Sequence, residues 1–228
     1  MNEWVLTPDR FLSKGEIGKL LKRAEELRVT GTAKNRRQQV RDWLTIRLAL
    51  FSGLRASEIC DLKVLDCHIG YARSELVVRN GKGGKMRCVK IGPELKKDLR
   101  WYLRWKSQVG ELHPDAHLLR TKRSERLNRS ALWRRWNRYC PAHRLHDARH
   151  TAATLLYEAT QDLRLVQKQL GHSRPSTTAV YADVCDEKAR EGVAAMEQLA
   201  KRTMKLSGDQ QIIEPVLSVV PAEVAANI

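Results

Sequence analysis

The sequence predicts a mainly α fold carrying one small antiparallel β-sheet. Three observations lead there. Apolar residues recur at helical spacing over most of the chain, with caps and stops at the ends of the runs. Only one region, Val64 to Ile91, has strand character, and it is folded about a Gly-rich turn. After Gly92-Pro93 the pattern returns to helices.

The elements follow in order. Residues 1–12 read as extended. Ser13 followed by Glu16 is a capping-box signature, and Ile17, Leu20, Leu21, Ala24 and Leu27 then mark a helix ending near Arg28. A polar basic link runs from Thr30 to Arg37. Val40, Trp43, Leu44, Arg47, Leu48 and Phe51 mark a more buried helix that Gly53 stops, and Ala56 to Leu62 forms a short third helix. Glu75–Arg79 and Met86–Ile91 flank the turn Asn80–Lys85. Pro93 suits the first turn of a helix over 94–107. Leu112 to Asn128 is irregular and very basic. Helices are expected over 130–139, 147–159, 162–170, 176–183 and 186–204, with Tyr102 and Tyr157 as core or interface residues and Trp133 and Trp136 mostly in the core. Ser207 to Ile228, with two prolines and weak periodicity, reads as a tail or a docking arm.

Composition excludes several classes. The chain has 228 residues, enough for one to two domains and a sizeable core. No apolar run approaches membrane-spanning length, and Met1-Asn2-Glu3-Trp4 does not open a secretory signal. The five cysteines, Cys60, Cys67, Cys88, Cys140 and Cys185, include no CxxC pair, so neither a disulfide framework nor a cysteine zinc site is expected, and a reducing cytoplasm is. Lys and Arg number 42 against 26 Asp and Glu, a net charge of +16. Such an excess repels itself in the compact state and calls for a polyanionic partner, nucleic acid first.

Four segments carry candidate chemistry. In Gly53-Leu-Arg-Ala-Ser-Glu58, Arg55 opens a helix and Glu58 is placed to hold it; alone, this is also an ordinary exposed pair. Gly81-Lys-Gly-Gly-Lys85 lacks P-loop spacing and joins two strands; alone, it is also a flexible hairpin tip. In His143-Arg-Leu-His-Asp-Ala-Arg-His150, His146 and His150 share a helix face in an HExxH-like pentad, so a zinc hydrolase is one reading. Asp147 is a methylene short for the base, and Arg149 puts a positive charge among the ligands. Read instead as His146-x-x-Arg149, the pair suits a phosphodiester, which Arg can hold bidentately while His donates. In Leu170-Gly-His172 and Thr177-Thr-Ala-Val-Tyr181, His172 follows a helix stop, and Tyr181 is the one tyrosine in a polar segment after a proline break. Its oxygen is a candidate nucleophile where cations surround it.

In order and spacing, Arg55, Lys82, His146-x-x-Arg149, His172 and Tyr181 resemble the active-site set of the tyrosine recombinase (phage integrase) family. GLRASE resembles the first-arginine box, with Glu58 at the acidic position. GKGGK resembles the hairpin lysine turn, LHDARHTAATLL the second box, and LGHSRPSTTAVYADV the nucleophile box. The resemblance runs from about Thr7 to about Leu206. It implies the DNA breaking–rejoining fold and a site-specific recombinase that works through a 3′-phosphotyrosine, with neither metal nor ATP. Tyr181 would attack, and Arg55 and Arg149 would clamp the phosphate. Lys82 would protonate the leaving 5′-oxygen, His146 would assist proton transfer at the tyrosine, and His172 would bond the phosphate. The partner would be double-stranded DNA, gripped in part by Lys85, Arg120, Lys122, Arg123, Arg126, Arg129, Arg134, Arg135 and Arg138. The remaining alternatives are a non-catalytic DNA-binding regulator on this fold and a type IB topoisomerase, whose boxes fit less well.

Only about 50 residues precede Arg55, and they read as the opening helices of the catalytic domain. The expectation is therefore a form without the family's N-terminal DNA-clamping domain, either natural or cut from a longer protein. Residues 1–206 would be the catalytic domain. Residues 207–228 would be a tail that docks on a neighbour in a tetramer on two DNA duplexes, in the cytoplasm at the nucleoid.

Overall fold

A computed structural model describes residues 10–182, except the side chain of Lys82, together with Met196. The expected helix over 186–204, Cys185 and the tail lie outside the described residues, as does most of the opening segment. Ser13 caps α1 (Lys14–Ala33) with the capping box that the sequence suggested: its hydroxyl accepts from the Glu16 amide, and Glu16 accepts from the Ser13 amide at 2.8 Å. The helix does not stop near Arg28 but runs five residues further. Leu27 and Gly31 stay on its buried face, and a Cβ at Gly31 would come within 2.9 Å of Val40. That close packing carries the helix through Val29, Thr30 and Thr32, whose own helix propensity is low.

Helix α2 (Arg37–Phe51) is the centre of the domain. Val40, Trp43, Leu44, Ile46, Leu48 and Leu50 are buried, and α1, α4 (Pro93–Gln108), α5 (Arg129–Tyr139) and α6 (Leu145–Thr160) all pack against it. Trp43 meets Trp101 of α4 edge-on at 5.1 Å, and the Arg28 guanidinium lies 5.0 Å over the Trp101 ring. The short α3 (Ala56–Asp61) leads to a three-stranded antiparallel sheet of β1 (Cys67–His68), β2 (Glu75–Val78) and β3 (Arg87–Lys90), in that spatial order. Val78 pairs with Arg87, so the Gly81–Lys85 turn sits between them, with Gly83 and Gly84 at φ 75° and 72°. Thus the sequence's mainly α assignment with one small antiparallel sheet agrees with the described residues.

Helix α7 (Leu163–Leu170) is capped by Asp162 and ends on Gly171 in the left-handed region, φ 67°. A last helix, α8, begins at 176 and reaches the end of the described segment at 182. Among the aromatic expectations, Tyr102 is fully buried, with its hydroxyl donating to the Leu118 carbonyl, and Trp136 is buried with its indole N–H on the His143 carbonyl. Trp133 is a correction. It is 54 % exposed, because it lies to one side of the face of α5 that Leu132, Arg135 and Trp136 bury. No described helix is long and apolar enough to cross a membrane.

Candidate active site

The site is built around one buried carboxylate. Glu58 stands in the first turn of α3, where it accepts from the Arg55 amide at 2.8 Å and from Arg55 Nη1 at 2.9 Å. Arg87 of β3 approaches from the other side and forms a two-bond fork with the same carboxylate, at 2.7 and 2.9 Å. A third guanidinium, Arg149 Nη1, is 3.9 Å away. Burial opposes ionisation of Glu58, but Arg87 and Arg55 outweigh it and hold the group at about 2. Three guanidinium groups thus share one carboxylate, and the surplus positive charge is available to an anion.

Arg149 lies in the second turn of α6 and is 3 % exposed. It donates to the Gly53 carbonyl at 2.6 Å and to the Leu170 carbonyl at 2.7 Å. Arg55 in turn donates to the Gly171 carbonyl at 3.2 Å. Both arginines are therefore seated on the carbonyl end of α7, where a helix favours cations. Gly53 allows this close approach: its φ is +64°, and a Cβ there would meet Leu170 at 2.9 Å. Burial, then repulsion from Arg55, lowers Arg149 to about 10, still cationic at neutral pH.

Three histidines line the same cleft. His172 follows the α7 cap, bonds Thr178 through Nδ1 at 3.0 Å, and is held at about 4 by burial and the neighbouring Arg149 and Arg55. His146, in the first turn of α6, is also pushed down, by burial and then by Arg149. The hydrogen bond to Tyr181 comes from one helical turn further on. His150 Nδ1 lies 2.9 Å from the Tyr181 hydroxyl, and the His146 ring packs edge-on against His150 at 4.3 Å. Burial, then His146 and Arg149, lowers His150 to about 3, so it is neutral at neutral pH. Tyr181 is 1 % exposed, in contact with Val166 and Leu170, and burial raises its phenol to about 12 against the pull of Arg149.

The cleft among these groups holds about 360 Å³ and is lined by Arg55, Arg149, His146, His150, His172 and Tyr181, with Ser173 and Thr177 at its edge. The structure thus brings together five of the six residues singled out for catalysis. The sixth, Lys82, is placed by its backbone alone, in the turn between β2 and β3.

The zinc arrangement does not fit this geometry. Asp147 is spent on starting α6, where it accepts from the Arg144 amide at 2.7 Å, so it is not free to act as the base that an HExxH-like pentad needs. Among the described residues no three His, Cys, Asp or Glu side chains cluster as metal ligands.

The expected DNA-facing basic residues divide. Lys85, Lys122, Arg123, Arg129, Arg134 and Arg138 are exposed. Arg135 is a correction: it is 9 % exposed and faces inward, donating to Gln38 at 2.8 Å and lying 3.6 Å from Asp42. Arg120 is half-buried, with its carbonyl facing Arg135, and Arg126 is paired with Asp61. Sequence reasoning missed Arg87 and gave His150 only a metal-ligand role. The signal for Arg87 was present: it alternates with buried Val89 on the inward side of β3, where an unpaired cation would not be left.

Residues 10–188 match the phage integrase family. Tyrosine recombinase XerA of Pyrococcus furiosus is 34% identical over 165 residues, which are 69% of this chain and 55% of that protein. Tyrosine recombinase XerD of Ralstonia nicotianae is 39% identical over 159 residues, 66% of this chain and 51% of that protein. The chain therefore spans between about half and three fifths of the length of these curated relatives. Among solved structures, a XerA recombinase superposes with a TM-score of 0.66 at 25% identity, over 85% of this chain and 66% of that one. A XerH site-specific recombinase in a post-cleavage complex with palindromic difH substrate gives 0.65 at 25% identity, over 82% and 53%.

Proposed function

The chain belongs to the phage integrase family, and on that premise we propose that it is the catalytic domain of a site-specific DNA recombinase that cuts and rejoins strands through a 3′-phosphotyrosine. The observation that carries this is the convergence of Arg55, Arg149 and His172 on the cleft that Tyr181 enters from a protected, hydrogen-bonded position. The cationic pair clamps the non-bridging oxygens of a phosphodiester and stabilises the charge that grows on them in the transition state. The Tyr181 oxygen forms a bond to phosphorus as the bond to the 5′-oxygen breaks. Lys82 gives the leaving oxygen its proton, and the phenol proton passes to His150 Nδ1. The negative phosphate raises the proton affinity of that imidazole when DNA is bound. A 5′-hydroxyl from a partner strand then reverses the step, so the bond energy is kept and neither ATP nor a metal is required.

Double-stranded DNA is the partner, drawn in by the net charge of +16. The exposed Lys122, Arg123, Arg129 and Arg134 contribute backbone contacts. Residues 1–206 act as the catalytic domain, and residues 207–228 dock on a neighbouring copy in a tetramer on two duplexes at the nucleoid. The test is covalent trapping on a nicked suicide duplex, from which the 5′-leaving fragment diffuses away. A protein–DNA adduct through Tyr181 is expected, and its absence from a correctly folded, DNA-bound protein rejects the proposal.

A further inference from the structure

The Arg87 side chain lies between α3, the end of α7 and the turn that carries Lys82. It forks onto Glu58, which holds Arg55. Its Nε faces the Gln169 carbonyl at 3.5 Å, and its chain lies so close to Gly171 that a Cβ there would sit 2.8 Å from Arg87 Cδ and Nε. Gly171 is followed by His172. On the turn side, Arg87 Nη1 would be 3.4 Å from a Cβ on Gly81, the residue before Lys82. The far end of β3 is separately fixed, because the Gln169 amide brackets Lys90, donating to its carbonyl at 2.5 Å and accepting from its amide at 3.1 Å.

A hairpin tip whose turn holds two glycines at positive φ is loose without outside anchoring. Gln169 anchors the end of β3 remote from the turn, and Arg87 anchors the end next to it. Resting on the reading of Lys82 as the proton donor, we propose that Arg87 is a positioning residue that holds the Gly81–Lys85 turn, and so Lys82, against the Arg55–Arg149 pair. Removing it leaves Glu58 both bonds to Arg55. The phosphate clamp therefore survives better than the proton delivery does.

Sulfur in place of the bridging 5′-oxygen makes a leaving group that departs without a proton, so it separates these two parts of the site. Single-turnover cleavage of nicked suicide duplexes with oxygen or sulfur at that position would be measured for the full chain, Lys82→Ala, Arg87→Gln and Arg87→Lys. On the oxygen substrate, Arg87→Gln is expected to be slower by about a hundredfold, the scale of one lost proton donor. On the sulfur substrate it should regain most of the wild-type rate, as Lys82→Ala should. Arg87→Lys, which keeps the charge without the fork, should show the same pattern with a smaller oxygen defect, and it decides the matter if Arg87→Gln does not fold. An Arg87 variant equally slow on both substrates, or as fast as wild type on oxygen, overturns the proposal while Lys82→Ala is rescued. If Lys82→Ala itself is not rescued by sulfur, the assignment of the proton donor fails, and the proposal with it.

Discussion

His150 Nδ1 and the Tyr181 hydroxyl share a hydrogen bond of 2.9 Å across 31 residues of sequence. It ties α8 to α6 and keeps the phenol among groups that do not ionise it: the phenol is pushed up to about 12 and the imidazole down to about 3. The tyrosine is therefore held protonated until a phosphate changes the balance of charge around it.

Replacing Tyr181 with Phe removes only the oxygen. Covalent adduct on a suicide duplex should fall by at least about a thousandfold, the scale of a lost nucleophile. DNA affinity should stay within about a factor of two, because no phosphate contact is lost. The cost in stability should be about 1 kcal/mol, from the lost hydrogen bond between the phenol and His150. Adduct persisting in this variant assigns the nucleophile elsewhere.

Acid should destabilise the domain earlier than its carboxylates alone would make it do. His150 and His172 are held at about 3 and about 4, below the ordinary histidine value of 6.5. Between those limits the unfolded chain binds protons that the folded one refuses, so stability falls as pH drops below about 6.5. Glu58, lowered from 4.5 to about 2, adds a loss of the same sign only below about pH 4.5. Melting temperature should thus decline already between pH 7 and 5, and His150→Gln should flatten that decline. A flat profile from pH 7 to 5 contradicts the histidine burial.

Cleavage should survive excess chelator, because Arg55 and Arg149 bring the positive charge that a metal would otherwise supply. Loss of adduct in EDTA, restored by zinc, would return His146 and His150 to a metal-binding role.

The basic residues should separate by what they touch. Lys122→Ala and Arg123→Ala should each weaken DNA binding and lower the salt slope by about one, as phosphate contacts do. Arg135→Ala should instead cost about 3 kcal/mol of stability, since it strips a buried partner from Asp42. Gel shifts across a salt series, with thermal melts alongside, distinguish the two; a stable Arg135→Ala that loses only salt-sensitive affinity reverses the assignment.

Deleting Ser207 to Ile228 should leave single-copy DNA binding nearly unchanged but lower cooperative loading and strand exchange. Undiminished recombination by the shortened chain makes the tail a bystander.

Local chemistry made much of this protein legible in advance. Ser13 with Glu16, and Gly171, start or stop helices through contacts within a few residues, so their spacing alone announces them. The glycines of the hairpin turn announce it in the same way, and the order of Arg55, His146, Arg149, His172 and Tyr181 is a property of the chain itself. What the tertiary structure decided lies across longer separations. His150 rather than His146 meets the Tyr181 hydroxyl, across 31 residues. Arg87 reaches Glu58 over 29 residues, and Arg135 turns inward to Gln38 over 97. His150 and Arg135 are an imidazole and a cation that the sequence could place equally well in solvent, and for Arg87 the strand alternation gives its side but not its partner. The deciding term is the cost of leaving the buried Glu58, Asp42 or Tyr181 hydroxyl unpaired, and that cost exists only once the core has closed around them.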